Sequence, residues 1–170
     1  PPTARGMRLR ASEHELPLDR RTGAVVQFGR RGIDGDVKET VFVHPPNRES
    51  CGYVFWTQNA QIPQNGEFRF SLGMGPLSPV RSDGVWFQVW AAEIENGRPQ
   101  EFTLLFEEAT NQHEWKPWRV PLDRFSGRTI CLKFVADCGP HDHTTTDQGM
   151  WADVRVVDRE LSQEQITPLK

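Results

Sequence analysis

The sequence has little of several features that mark membrane, nucleic-acid-binding or disulfide-rich proteins. No apolar run approaches the roughly 18 residues of a membrane span, and the N-terminus does not read as a signal peptide. The formal net charge is −3, with both signs interspersed along the chain, whereas a nucleic-acid surface requires a clustered basic face. We therefore expect a globular domain whose partners include no nucleic acid and which does not insert into a membrane.

Cysteine is also scarce, with Cys51, Cys131 and Cys138 as the three examples. At most one disulfide can form, and the seven-residue spacing of Cys131 and Cys138 across a strand end favours that pair. Three free thiols are the alternative. The chain begins with "PPTARG" and no methionine, which is typical of a fragment or a processed product, so the lack of a signal peptide says little about location.

Tyrosine occurs once, yet there are six Trp and ten Phe, together with 14 Gly and 13 Pro. Glycine and proline that punctuate short aromatic segments indicate an all-β domain. Alternating segments recur between turn signals, and about nine strands with no helical pattern predict an antiparallel β-sandwich or jelly roll. The predicted strands read AVVQFG, ETVFVHPP, SCGYVFWT, GEFRFSLGM, DGVWFQVWAAEI, EFTLLFEEA, KPWRVPL, RTICLKFVAD and MWADVRVV.

The same pattern divides the chain into three parts. Residues 1–20 lack clean periodicity, so we expect a poorly ordered N-terminal arm. Residues 21–158 form the β-sandwich domain, and residues 159–170 form a C-terminal tail with one short helical turn or none.

One strand carries an unusual outer face. In "DGVWFQVW" one side is apolar, as expected of a core strand, but the other side is formed by Trp86, Gln88 and Trp90. The two indoles lie roughly 13 Å apart by the rise of a strand, which suits an aromatic platform for an extended or ring-shaped ligand. Packing of both faces under a loop is the alternative, because Trp is more often buried than exposed.

The segment "HDHTTTDQGMWADVRVV" permits two metal sites. Oxygen ligands suited to Ca²⁺ are available from Asp137, Asp142, Asp147 and Asp153, which predict a structural calcium ion; turn capping or surface ion pairs are the alternative. His141 and His143 could instead share a catalytic metal with His44, with Asp147 or Glu49 as general base. Since no HExxH, nucleophile elbow or phosphate loop accompanies them, we expect no enzyme.

The order of "VFVHPP", "DGVWFQV", "GRTICLKFVAD" and "DHTTTDQGMWADV" resembles the galactose-binding-domain-like β-sandwiches. The pattern is similar to the NPCBM carbohydrate-binding modules attached to bacterial glycoside hydrolases, over roughly residues 37 to 157, although their compact "DHADWAD" is expanded here. "VFVHPPNRES" also resembles ancillary sandwiches beside sulfatases and glycosyltransferases, where no sugar binding need occur. The resemblance implies a β-sandwich fold, a structural calcium that pins a loop against the last strand, and sugar binding at the loop end.

We therefore predict a non-catalytic carbohydrate-binding module, ancillary to a larger exported or cell-surface enzyme and located outside the cell or in the periplasm. Its glycan is expected either on the Trp86–Trp90 sheet face or at the loop end, where the polar and aromatic candidates are His44, Arg48, Trp115, His141, Asp142 and His143. The other hypothesis is a docking domain that binds further domains of its parent protein and no sugar.

Overall fold

The chain folds into strands joined by short turns. A computed structural model describes residues 2–48, 50–139, 141 and 143–164. The helices are short: α1 (Ser78–Arg81), α2 (Arg159–Glu164) and 3-10 turns at Arg20–Thr22 and Asp123–Phe125. None of the helices in these ranges is long and apolar enough to cross a membrane. The strands are β1 (Ala4–Leu9), β2 (Val25–Ile33), β3 (Asp36–His44), β4 (Gly52–Gln61), β5 (Gly66–Met74), β6 (Val85–Glu95), β7 (Arg98–Pro99), β8 (Thr103–Thr110), β9 (Lys116–Pro121), β10 (Thr129–Asp137) and β11 (Gly149–Asp158).

Two antiparallel sheets face each other, which confirms the predicted all-β sandwich. The first sheet has the order β1-β4-β10-β6-β7, with β8 also paired to β6, and the second has the order β2-β3-β11-β5-β9. The nine predicted strands are all present, with β1 and the two-residue β7 in addition. Strand β10 ends beside the start of β6, and β11 starts beside the ends of β3 and β5. We call this end of the sandwich the loop end.

The core lies between the sheets and follows the alternation of the strands. Val85, Phe87 and Val89 of β6 are fully buried on one face, as the period of two predicts. Trp151 is also 0% exposed, and its ring lies 5.3 Å from that of Phe87, centroid to centroid. This indole therefore lies within the core, where burial of its large apolar area stabilises the fold.

The prediction that residues 1–20 form a poorly ordered arm is wrong for Ala4–Leu9. These residues form β1, which pairs with β4 along its whole length, for example Ala4 with Thr57 and Leu9 with Gly52. Met7 is 2% exposed and belongs to the core. The strand "ARGMRL" has few apolar residues because it is the edge of its sheet, so its sequence shows no clear alternation. The division into arm, domain and tail otherwise stays a prediction.

The predicted Cys131–Cys138 disulfide is also wrong, since the bonded pair is Cys51–Cys138. Strand β4 starts where β10 ends, with Tyr53 opposite Asp137, so the residues just outside these two positions become neighbours. The Cα atoms of Cys51 and Cys138 lie 6.2 Å apart, within the range that a disulfide bridges. Cys131 is a buried free thiol within β10, away from the strand end at which Cys138 is bonded.

Strand β11 contains a bulge that changes which side chains face the core. Its register against β5 shifts between Ala152 and Arg155, and Asp153 has a φ of 49°. Simple alternation predicts that Trp151 lies opposite Val154 and Val156, yet both valines pack against the same core as Trp151. The extra residue of the bulge returns the second half of the strand to the core face.

Candidate functional site: an aromatic groove on the first sheet

A groove of about 230 Å³ lies on the outer face of the first sheet. Strand register builds it, because Lys133 of β10 pairs with Trp90 of β6, and Val135 pairs with Gln88. We call it the aromatic groove, and its lining residues are Tyr53, Gln88, Trp90, Phe102, Lys133 and Val135. It coincides with the face that alternation in β6 singled out.

The indole of Trp90 is held in place by its neighbour on the same face. Trp90 Nε1 donates a hydrogen bond to Gln88 Oε1 at 2.9 Å, and both side chains are half-buried. This bond uses the carbonyl oxygen of Gln88, so the amide NH₂ is the group that can donate to a ligand. Trp86 lies farther along the same face and is 36% exposed, outside the lining of the groove.

Lys133 supplies the cation of the groove and is surrounded by aromatic rings. Its Nζ lies 4.5 Å from the ring centroid of Phe55 and 5.4 Å from that of Phe102, distances at which a cation is attracted to a ring face. Lys133 also forms an ion pair with Glu15, and the Lys133 side chain is 15% exposed. The ion pair thus neutralises the positive charge, and the groove combines apolar side chains with the ammonium donor of Lys133.

Glu15 reaches this face from the segment between β1 and β2. Tyr53 Oη donates to Glu15 Oε1 at 2.9 Å. Burial, followed by the hydrogen bond and charge of Glu15, raises the pKa of Tyr53 to about 12. Tyr53 therefore remains a neutral phenol at physiological pH, able to donate a hydrogen bond or to stack.

Three of the residues predicted for the loop end make different contacts. His44 Nδ1 lies 2.7 Å from the carbonyl oxygen of Pro45, and burial lowers the pKa of His44 below its usual value. Arg48 is exposed and lines a different groove, beside β2. Trp115 donates its Nε1–H to the carbonyl oxygen of Asp36 at 2.9 Å and packs over Gly73 of β5. The structure therefore does not gather them into one pocket.

The remaining loop-end candidates lie between β10 and β11. His141 and His143 are exposed, while Asp142 and the nominated base Glu49 lie outside the described residues. Asp137 accepts two hydrogen bonds from Arg10 at 2.8 and 2.7 Å, and Asp153 lies 3.4 Å from Lys38 Nζ, at the bulge of β11. In the described part of the chain, no group of three or more His, Cys, Asp or Glu side chains is arranged to hold a metal ion.

Two carboxylates at the loop end nevertheless have unsatisfied oxygens. Asp147 is 0% exposed and accepts from Ser82 Oγ at 2.5 Å through Oδ1, whereas its Oδ2 is buried with no hydrogen-bond partner. Both oxygens of Asp83 are likewise buried and unpartnered. Burial raises the pKa of Asp147 to about 7, opposed by the Ser82 hydrogen bond and reinforced by the charges of Asp83 and Asp137. Carboxylate oxygens of this kind suit Ca²⁺, so a calcium ion stays a prediction. The candidate ligands are now Asp83 and Asp147, and no longer Asp153.

Several groove residues were missed by sequence reasoning. Lys133 and Val135 carry a usable signal, because they alternate with the buried Leu132 and Phe134 of β10 and so must share the outer face. Tyr53 and Phe102 carry no such signal, since their place in the groove depends on which strands become neighbours.

No protein-family model matches the chain. An uncharacterized protein of Archaeoglobus fulgidus is 30% identical to it over 128 residues, which cover 73% of this chain and 32% of that protein. The match thus spans about a third of the archaeal relative.

Solved structures with little sequence identity share the architecture. The CBM22-1 and GH10 modules of Clostridium thermocellum endo-1,4-β-D-xylanase 10B, solved with xylohexaose, match with a TM-score of 0.52 and 10% identity, over 80% of this chain and 24% of that chain. The K1 cleaved adhesin domain of Lys-gingipain from Porphyromonas gingivalis W83 matches with a TM-score of 0.50 and 16% identity, over 91% and 89%. A structure of carbohydrate-binding modules from the β-sandwich superfamily has a TM-score of 0.50 and 9% identity, over 79% and 53%. The chain is therefore a β-sandwich with the fold of carbohydrate-binding modules.

Proposed function

We propose that the chain is a non-catalytic carbohydrate-binding module that binds a neutral glycan in the aromatic groove. The observation that carries the proposal is the pairing of a half-buried Trp90 with the polar donors of Gln88 and Lys133 in one groove. An indole offers its face to the apolar side of a sugar ring, while an amide and an ammonium donate to hydroxyls. This combination of an apolar wall with a few placed polar groups is typical of small-ligand sites.

The likeness in fold supports this proposal, since carbohydrate-binding modules share the architecture. The archaeal relative extends well beyond the matched part, which supports an ancillary role within a larger protein. The Cys51–Cys138 disulfide favours an oxidising compartment, so we place the module on an exported or cell-surface protein.

The test is affinity for neutral oligosaccharides, starting with xylohexaose, measured by titration calorimetry on wild type and Trp90→Ala. We expect a micromolar to millimolar dissociation constant for wild type and at least about tenfold weaker binding for the variant. The melting temperature should change little, because Trp90 lies on the outer face. Trp115→Ala is the matched control, since this indole lies on the second sheet and its loss should leave binding unchanged.

A docking domain is the second candidate function, favoured by the exposed indole of Trp86 beside the aromatic groove. If none of a broad panel of neutral oligosaccharides binds and the isolated domain dimerises through this face, docking replaces sugar binding. Trp86→Ala would then restore the monomer.

A further inference from the structure

A second and larger groove lies between the free edges of the two sheets. Strand β1 is an edge of the first sheet and β2 is an edge of the second. The groove between them has a volume of about 750 Å³, within the range of ligand sites. Arg5 of β1 lines this groove, and its guanidinium carbon lies 4.6 Å from the ring centroid of Phe28 of β2.

Three arginines from separate segments line this groove: Arg5 of β1, Arg20 of the 3-10 turn, and Arg48 of the loop after β3. We call it the arginine groove. All three side chains are exposed, and no ion pair satisfies any of them within the described part of the chain. The described lining contains no carboxylate. In a chain of net charge −3, such a concentration of unpaired cations favours an anionic ligand.

The backbone holds two of these arginines in a fixed relation. The amides of Asn47 and Arg48 both donate to the carbonyl oxygen of Thr22, at 2.8 and 3.1 Å. Asp19 caps the 3-10 turn by accepting from the amide of Arg21 at 3.0 Å. The segments that carry Arg20 and Arg48 are therefore tied together before any ligand arrives, which lowers the entropic cost of binding.

The aromatic ring in the groove indicates what kind of anion fits. Phe28 is 38% exposed and is held edge-on against the core indole of Trp56, with 5.5 Å between centroids. An exposed ring flanked by arginines suits a ligand that carries carboxylate or sulfate groups on apolar rings. Arginine pairs with such groups through two parallel hydrogen bonds.

We propose that the arginine groove binds an acidic oligosaccharide, with Arg5, Arg20 and Arg48 on its carboxylate or sulfate groups and Phe28 against a sugar ring. An acidic peptide added as a strand to the edge of β2 is the competing ligand. The sugar is favoured, because Arg5 and the exposed ring of Phe28 lie together in the groove, and a ring contact has no part in strand pairing. This site is separate from the aromatic groove and does not depend on sugar binding there.

The test is calorimetric titration at low salt with a galacturonic acid tetrasaccharide and a heparin tetrasaccharide, with galactotetraose as the neutral probe. We expect at least one acidic probe to bind. Arg48→Gln, or the Arg5→Gln/Arg20→Gln pair, should weaken that binding about tenfold or more, because each substitution removes charge-assisted hydrogen bonds to the ligand. Arg98→Gln is the control, because Arg98 of β7 is exposed and outside the groove. Thermal unfolding confirms that each variant is folded.

Three results would overturn the proposal. The first is that neither acidic probe binds wild type. The second is that Arg98→Gln weakens binding as much as the groove variants do. The third is that a glutamate hexapeptide binds as tightly as the better acidic sugar. Trp90→Ala separates this proposal from the proposed function. If acidic probes lose affinity in that variant but not in the arginine variants, acidic sugars bind in the aromatic groove and the arginine groove does not bind them.

Discussion

The aromatic and arginine grooves both combine aromatic rings with cations, but they differ in whether an acid pairs with those cations. In the aromatic groove, Lys133 is neutralised by Glu15 and shielded by rings. In the arginine groove, Arg5 stacks on Phe28, and its described lining supplies no acid. A neutralised cation acts as a hydrogen-bond donor for hydroxyls, whereas unpaired cations attract charge. We therefore propose neutral sugars as ligands of the aromatic groove and acidic sugars as ligands of the arginine groove.

The largest expected effect comes from removing the disulfide, which joins two strands that carry three residues of the aromatic groove. Cys51 and Cys138 join the start of β4 to the end of β10 across 87 residues, and these strands carry Tyr53, Lys133 and Val135 of the aromatic groove. Cys51→Ser/Cys138→Ser should lower the free energy of unfolding by about 4 kcal/mol, measured by urea denaturation. Neutral-sugar affinity should fall more than acidic-sugar affinity.

Cys131→Ala is the control for that pair, since this thiol is buried but unbonded. It should cost less stability and leave both affinities unchanged. Equal loss of affinity in the two grooves after disulfide removal would contradict the expectation that the disulfide stabilises the aromatic groove more than the arginine groove.

The second effect concerns the loop end, which we expect to change stability without changing either groove. The pKa of Asp147 is raised to about 7 in the folded protein. Its contribution to the free energy of unfolding is therefore fully present below the unfolded pKa of about 4, and this contribution is lost as the pH rises to 7. Asp147→Asn should remove this loss, so the variant should gain up to about 4 kcal/mol relative to wild type between pH 4 and pH 8. Thermal unfolding in EDTA at several pH values measures it.

If the difference in unfolding free energy between Asp147→Asn and wild type is constant across this pH range, the pKa of Asp147 is not raised in the folded protein. The same samples test calcium, since an ion on Asp83 and Asp147 should raise the melting temperature of wild type at pH 8 and not that of the variant. Binding of sugars in both grooves should be the same for the two proteins.

The smallest expected effect concerns the ion pair between Glu15 and Lys133 in the aromatic groove. Glu15→Gln removes the charge opposite Lys133, so this groove should bind the galacturonic acid probe a few-fold more tightly, in line with the modest worth of a partly exposed ion pair. The measurement uses the Arg48→Gln background to suppress the other groove. Glu114→Gln, an exposed acid in the loop after β8, is the control, and an equal gain there would indicate a general charge effect.

Local sequence patterns predicted most of the strands of this protein and the residues on one outer face. Alternation located nine strands and placed Trp86, Gln88 and Trp90 on an outer face, because side chains of one strand point to opposite sides whatever its neighbours are. The same rule failed in β11, where the bulge at Asp153 brings Val154 and Val156 to the core. A bulge adds one residue to the count, and the residues "ADV" carry no signal for it.

The sequence by itself determined the all-β class, the turn positions and the polar-aromatic face of β6, since these depend on neighbours along the chain. Tertiary structure alone decided which distant residues meet: Cys51 with Cys138, Trp90 with Lys133, and Arg5 with Phe28. Strand order and register determine such pairs, and both follow from how the two sheets bury their apolar faces together. Each groove is therefore a product of the assembled sandwich, with side chains that no single segment brings together.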